Sequence, residues 1–149
     1  MKIEEFSKYF EAEVEDINKV LKEIERLISL MPIEKDNIKL AAAGTFLHNF
    51  YNGIENILKR ALLVKDIKIQ NSPGWHKETL LKAKELNIID TEIHIKLIPY
   101  LTFRHYFIHG YSFKLVSDDI LSLLKETDII FNKFNDAIMK FIREEKKKH

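Results

Sequence analysis

The chain has 149 residues, 46% hydrophobic and 11% aromatic, which fits one globular domain over residues 1–149 with a single good core. A formal net charge of +1 excludes a general nucleic-acid coat, so any RNA contact must come from a local patch. The absence of Cys excludes disulfide scaffolds, thiolate metal sites and Cys nucleophiles, and is compatible with a cytoplasmic protein. The start, Met1 to Phe6, turns acidic at once and has no apolar signal core. No apolar run approaches the roughly 20 residues of a membrane span. Four Gly and three Pro leave little room for β-turns, so the expected class is all-α.

In chain order, Ile3, Phe6, Phe10, Val14, Ile17, Leu21, Ile24 and Ile28 step by threes and fours, the stripe of an amphipathic helix from about residue 3 to 30. Pro32 ends it. A second helix is expected from about residue 33 to 64, on the period of Leu40, Leu47, Tyr51, Ile54 and Leu58. Gly44 and Gly53 lie inside it at a cost of about 1 kcal/mol each against Ala. The run Ala41 to Gly44 is small enough to admit another backbone. Its polar candidates are Tyr51, Glu55 and Asn56, and a solvated side chain is the simpler reading of Glu55. Residues 65–74 read as a loop ending in Asn71-Ser72-Pro73-Gly74. A short helix follows from His76 to Leu86, with Trp75 as its anchor. Asp90 or Thr91 caps a helix that runs to about His109 and stops at Gly110, with Pro99 expected to kink or divide it. Ser117 or Asp118 caps the last helix, striped by Ile120, Leu124, Thr127, Phe131, Phe134, Ile138 and Phe141. The expected architecture is an up-and-down bundle of four main helices plus one short helix.

The reactive side chains concentrate in Arg104-His105-Tyr106-Phe107-Ile108-His109-Gly110-Tyr111. Arg104 and His109, five apart on a helix, are separated by about 7.5 Å of rise and roughly 140° of rotation, so one helix does not present both on one face. His105 and His109 do share a face. From Ile95 to Ser117 the chain has Lys96, Arg104 and Lys114 and no Asp or Glu, a local anion-attracting stretch. Guanidinium offers bidentate donors to phosphate, and imidazole transfers protons near neutral pH. His105 and His109, with His94 upstream, also have the spacing of a helical metal-ligand pair. No Glu stands where a zinc-protease motif needs it, and neither a metal nor a cofactor is expected.

An Arg followed after four residues by a His, with His105 next to the Arg and a Tyr two places beyond the second His, resembles the signature of HEPN domains. In particular it resembles the HepT-like toxins of prokaryotic toxin–antitoxin pairs. The resemblance implies an all-helical HEPN bundle and a homodimer, or a higher even oligomer, whose two copies complete one cleft. It implies a type II toxin that is a metal-independent endoribonuclease, driving the ribose 2′-hydroxyl onto the adjacent phosphate. Arg104 would clamp the phosphate and His109 act as general acid or base. His105 would be auxiliary, and Glu55 could orient the Arg or His. It further implies a nucleotidyltransferase antitoxin as partner, which attaches AMP to Tyr111. The alternative in the same family is a non-catalytic nucleotide-binding module or nucleotidyltransferase partner, and beyond that a purely structural helical dimer.

Overall fold

The computed structural model describes residues 1–30, 32, 36–109 and 117–148. Five helices follow one another: α1 (Ile3–Ser29), α2 (Asn37–Val64), α3 (Trp75–Glu85), α4 (Thr91–Ile108) and α5 (Ser117–Lys147), with no strand among the described residues. Four are long, of 27, 28, 18 and 31 residues, and α3 has 11. The all-α bundle read from the sequence is the architecture observed.

The central element is α2, which packs on each of the other four helices. Its buried residues include Leu47, Phe50, Tyr51, Ile54, Ile57, Leu58, Ala61 and Leu62, spread around the helix rather than along one stripe. A helix that is apolar on most sides belongs in the middle of a bundle. The outer helices α1 and α5 each bury one stripe, and Phe6 meets Phe141 edge-on at 5.7 Å between ring centroids. Phe50 and Tyr100 join α2 to α4 at 5.5 Å. The Tyr100 hydroxyl donates to the Leu123 carbonyl at 2.6 Å and so ties α4 to α5. Buried side chains from all five helices form one cluster.

The two helical glycines have separate reasons. A Cβ on Gly53 would lie 2.6 Å from Ile17 Cγ1, so α1 and α2 meet there at a distance only Gly permits. A Cβ on Gly44 would lie 2.8 Å from Phe107 Cε2. The partner received by the small-residue run is thus an aromatic ring of α4, not a backbone.

Three boundaries differ from the sequence reading. Helix α2 starts at Asn37 rather than near residue 33, because Asp36 Oδ1 accepts from the amides of Ile38 (3.0 Å) and Lys39 (3.2 Å). Helix α3 takes in Trp75 and stops one residue earlier, at Glu85. Helix α4 is not divided at Pro99. Pro99 removes the hydrogen bond to the Ile95 carbonyl, but both residues are exposed, Ile95 by 60%, so water can satisfy that carbonyl. Asp90 caps α4 as expected, accepting from the Ile93 amide at 2.8 Å. The side chains of Ser117 and Asp118 and the stop at Gly110 lie outside the described residues. No described helix is long and apolar enough to cross a membrane.

Candidate functional site

The loop after α2 turns the chain back so that α3 lies against both α2 and α4. Asp66 (φ 61°) ends α2 in a left-handed residue, with the Asp66 amide on the Leu63 carbonyl and the Ile67 amide on Leu62. Gly74 (φ 82°) then reverses direction into α3. This return places the first turn of α3 beside the end of α4 that carries Arg104.

A groove of about 1020 Å³ opens between α3 and α4. Arg104, His105 and His109 all line it, with Lys77 and His76 contributed by α3 and His94 by the start of α4. Among the described residues no carboxylate lines it, which extends into three dimensions the gap in acids noted along the chain. Its remaining wall is apolar, formed by side chains such as Leu80, Leu101 and Tyr106. The helical offset between Arg104 and His109 therefore does not put them on separate surfaces. The groove is broad enough to take in both, because α3 supplies its opposite wall. The His105 and His109 rings stand edge to face, 4.4 Å between centroids, and both residues are exposed.

Arg104 is half-buried and held by a chain of polar contacts that crosses three helices. Its Nε donates to Asn52 Oδ1 at 2.9 Å, and its Nη1 lies 3.2 Å from His76 Nε2. His76 Nδ1 in turn lies 2.9 and 2.8 Å from the two oxygens of Glu55. Asn52 Nδ2 lies 3.0 Å from His48 Nε2. Arginine only donates, so His76 Nε2 must be the acceptor and His76 Nδ1 carries the proton that Glu55 receives. The same logic runs the other way. Asn52 Oδ1 is taken by Arg104, so Asn52 Nδ2 donates and His48 Nε2 accepts. Every contact has one donor and one acceptor only when both histidines are neutral with hydrogen on Nδ1.

Burial supports this polarity at His48. Desolvation, and after it the positive charge of Arg104, lower its pKa from the usual 6.5, outweighing Glu55. Its Nδ1 is buried without a hydrogen-bond partner and its ring packs on Phe107 at 5.4 Å. Tyr51, buried one turn before Glu55, has a strongly raised pKa, first from burial and then from the Glu55 charge. Its hydroxyl makes no hydrogen bond of ordinary geometry. His94 has its pKa lowered by desolvation and by Lys84.

The sequence candidates thus divide. Arg104, His105 and His109 meet in one groove. Glu55 is not solvated: it is 3% exposed, and it reaches Arg104 through His76. Asn56 is exposed and outside the site. Tyr111 and Lys114 lie outside the described residues. Trp75 packs on the core, as an anchor should. Its ring also lies against that of His76, tilted at 3.6 Å between centroids, and carries Lys59 Nζ 4.4 Å from its own centroid. His76, Asn52 and His48 were not singled out by the sequence. The signal for two of them was present: His48, Asn52 and Glu55, spaced by four and three, fall on one face of the helix. Among the described residues no group of three or more His, Asp or Glu side chains is placed to hold a metal ion.

An all-helical bundle of this kind is consistent with the HEPN fold. The family model of HepT-like proteins matches residues 42–144, from within α2 to the last turns of α5. The chain belongs to the HepT-like family. No curated protein and no solved structure matches it.

Proposed function

We propose that this HepT-like protein is the toxin of a type II toxin–antitoxin pair and a metal-independent endoribonuclease. The observation that supports this best is the groove in which Arg104, His105 and His109 meet with no carboxylate among the described lining residues. Among its described lining residues a phosphodiester meets cationic, neutral polar and apolar groups and no anion, so its charge is attracted rather than opposed.

In the reaction, a neutral imidazole, His109, takes the proton from the ribose 2′-hydroxyl. The O2′–phosphorus bond forms and the bond from phosphorus to the 5′-oxygen breaks. That oxygen takes a proton and leaves as a 5′-hydroxyl, and the other fragment ends in a 2′,3′-cyclic phosphate. Arg104 donates to the phosphate oxygens as charge grows on them, and His105 is an auxiliary donor. Two copies related by a two-fold axis bring their grooves together, so that one copy supplies the acid and the other the base. A nucleotidyltransferase antitoxin silences the protein by attaching AMP to Tyr111, two residues beyond His109 in the chain, which adds negative charge to a stretch that has no acids.

The test is cleavage of RNA by the purified protein in EDTA. Expected are cyclic phosphate ends and loss of cutting in His109→Ala at unchanged helicity. Intact RNA together with nucleotide binding would replace this reading with that of a non-catalytic nucleotide-binding HEPN module.

A further inference from the structure

We propose that His76 is a positioning residue for Arg104, fixed by Glu55 in the one tautomer that can hold the guanidinium in the groove. The proposal rests on the reading of Arg104 as the anion clamp. What it adds is the assignment of an α3 residue, outside the signature helix, to the working geometry of that clamp.

Arg104 is reached from two sides. Asn52 of α2 takes Nε and His76 of α3 takes Nη1. These two anchors fix the plane of the guanidinium, because its N–H vectors are rigid relative to one another. The other donors of the fork remain for a ligand in the groove that Arg104 lines. An imidazole is an unusual acceptor for arginine, since its other tautomer, or its protonated form, would present N–H to N–H. Glu55 removes that ambiguity. Its carboxylate, 3% exposed, contacts His76 Nδ1 with both oxygens and draws the proton there, leaving the Nε2 lone pair for Arg104. A carboxylate that selects the tautomer of a histidine, which then orients a cation, is the logic by which outer-shell carboxylates set the ligands of metal sites. One side of the ring is covered, because the Trp75 ring lies against it, tilted by 31° at 3.6 Å between centroids, and Trp75 is backed by Lys59 and the core. The groups facing His76 are therefore Glu55 from α2, Arg104 from α4 and the Trp75 ring of its own helix.

Two measurements on the full chain test this. The first needs no RNA. Nitrogen-15 spectra of histidine-labelled protein, at about pH 7.5, report the tautomer of each ring. His76 is expected with its proton on Nδ1, and Glu55→Ala should abolish that preference. A wild-type His76 found as the Nε2–H tautomer would overturn the proposal whether or not the protein cuts RNA. The second compares RNA cleavage by His76→Ala and His76→Gln. Gln places an acceptor oxygen where Nε2 stood, so it should recover most of the activity. The Ala variant should lose on the order of 100-fold in kcat/KM, the scale of a misplaced catalytic group. Equal loss in both variants at equal thermal stability would show that the acceptor at this position is not what matters, and would also overturn it. If wild type leaves RNA uncut, the nuclease reading fails while the tautomer measurement still decides the role of His76.

Discussion

Glu55 Oε2 lies 2.8 Å from His76 Nδ1, and this contact joins two helices across 21 residues of sequence while one end of it stays almost dry. A buried carboxylate in a bundle this apolar persists only because it is answered by donors. Replacing Glu55 by Ala should cost about 1–3 kcal/mol, the range for stranding a hydrogen-bonding partner in the interior. Replacing it by Gln, which keeps an acceptor oxygen, should cost clearly less. Urea denaturation of the two variants measures the difference, and equal losses would mean that Glu55 acts through volume alone.

His48 makes stability depend on pH, with a definite sign. Its folded-state pKa is lowered, by desolvation first and by Arg104 second, so the folded protein resists the proton that the unfolded chain accepts. At pH values above the unfolded pKa near 6.5 there is no difference. As pH falls from there toward the lower folded value, the unfolded state binds more protons and stability declines. His94 is lowered as well and adds to the same slope. In His48→Gln, whose side-chain oxygen can still accept from Asn52, the decline in melting temperature between about pH 7.5 and pH 5.5 should be shallower than in wild type. An unchanged slope would assign the effect to other groups.

Glu145 has the opposite titration and a lower window. Burial works to raise its pKa, but the hydrogen bonds from Lys65 at 2.7 Å and Lys148 at 3.1 Å outweigh it and hold it below the usual 4.5. The stabilisation is present above about pH 4.5 and is lost as pH falls through the folded value. Glu145→Gln should therefore cost about 1 kcal/mol at neutral pH, mostly through the bond that fastens α5 to the end of α2. The cost should shrink as the pH falls below about 4.5 and the carboxylate takes up its proton. Denaturation midpoints at neutral and at acid pH check both halves of the statement.

Gly53 is a site where helix propensity and packing disagree. Ala gains about 1 kcal/mol in a helix interior over Gly. The added Cβ would meet Ile17 Cγ1 at 2.6 Å, and Ile17 is 2% exposed. Overpacking of this kind costs about 1–3 kcal/mol, so Gly53→Ala should be destabilising on balance. Ile17→Ala, which removes the clashing atoms, should cost less in the Gly53→Ala background than in wild type. Additive losses in the double-mutant cycle would argue that α1 simply shifts outward.

The helices were legible in the sequence because each outer helix carries one apolar stripe, and a stripe is a statement about period that needs no partner. The site was legible only where it is local. Arg104, His105 and His109 are close in sequence and meet in space. Glu55 was in view but read more simply as solvated, since nothing near it in sequence says what stands opposite. That partner arrives through the Asp66 and Gly74 reversals, which fold α3 back and set His76 on Glu55. Pro99 shows the same limit. Its effect depended on whether the Ile95 carbonyl faced water, and that is a property of the assembled bundle.

The arrangement around Arg104 distinguishes a fork from a point charge. Arg104 spans two acceptors on different helices, Asn52 at 2.9 Å and His76 at 3.2 Å. Lysine has the charge but one nitrogen, so it cannot hold both acceptors and still face a phosphate. If the groove cleaves RNA as proposed, Arg104→Lys should lose on the order of 100-fold in rate while keeping measurable RNA binding, because long-range attraction survives and directed donation does not. His109→Asn should bind RNA as wild type does and fail to cut. The two variants together separate the roles. A lysine variant that cuts at the wild-type rate would reduce Arg104 to a source of positive charge, and the polar chain through His76 and Asn52 would then have only the stability of the bundle to account for it.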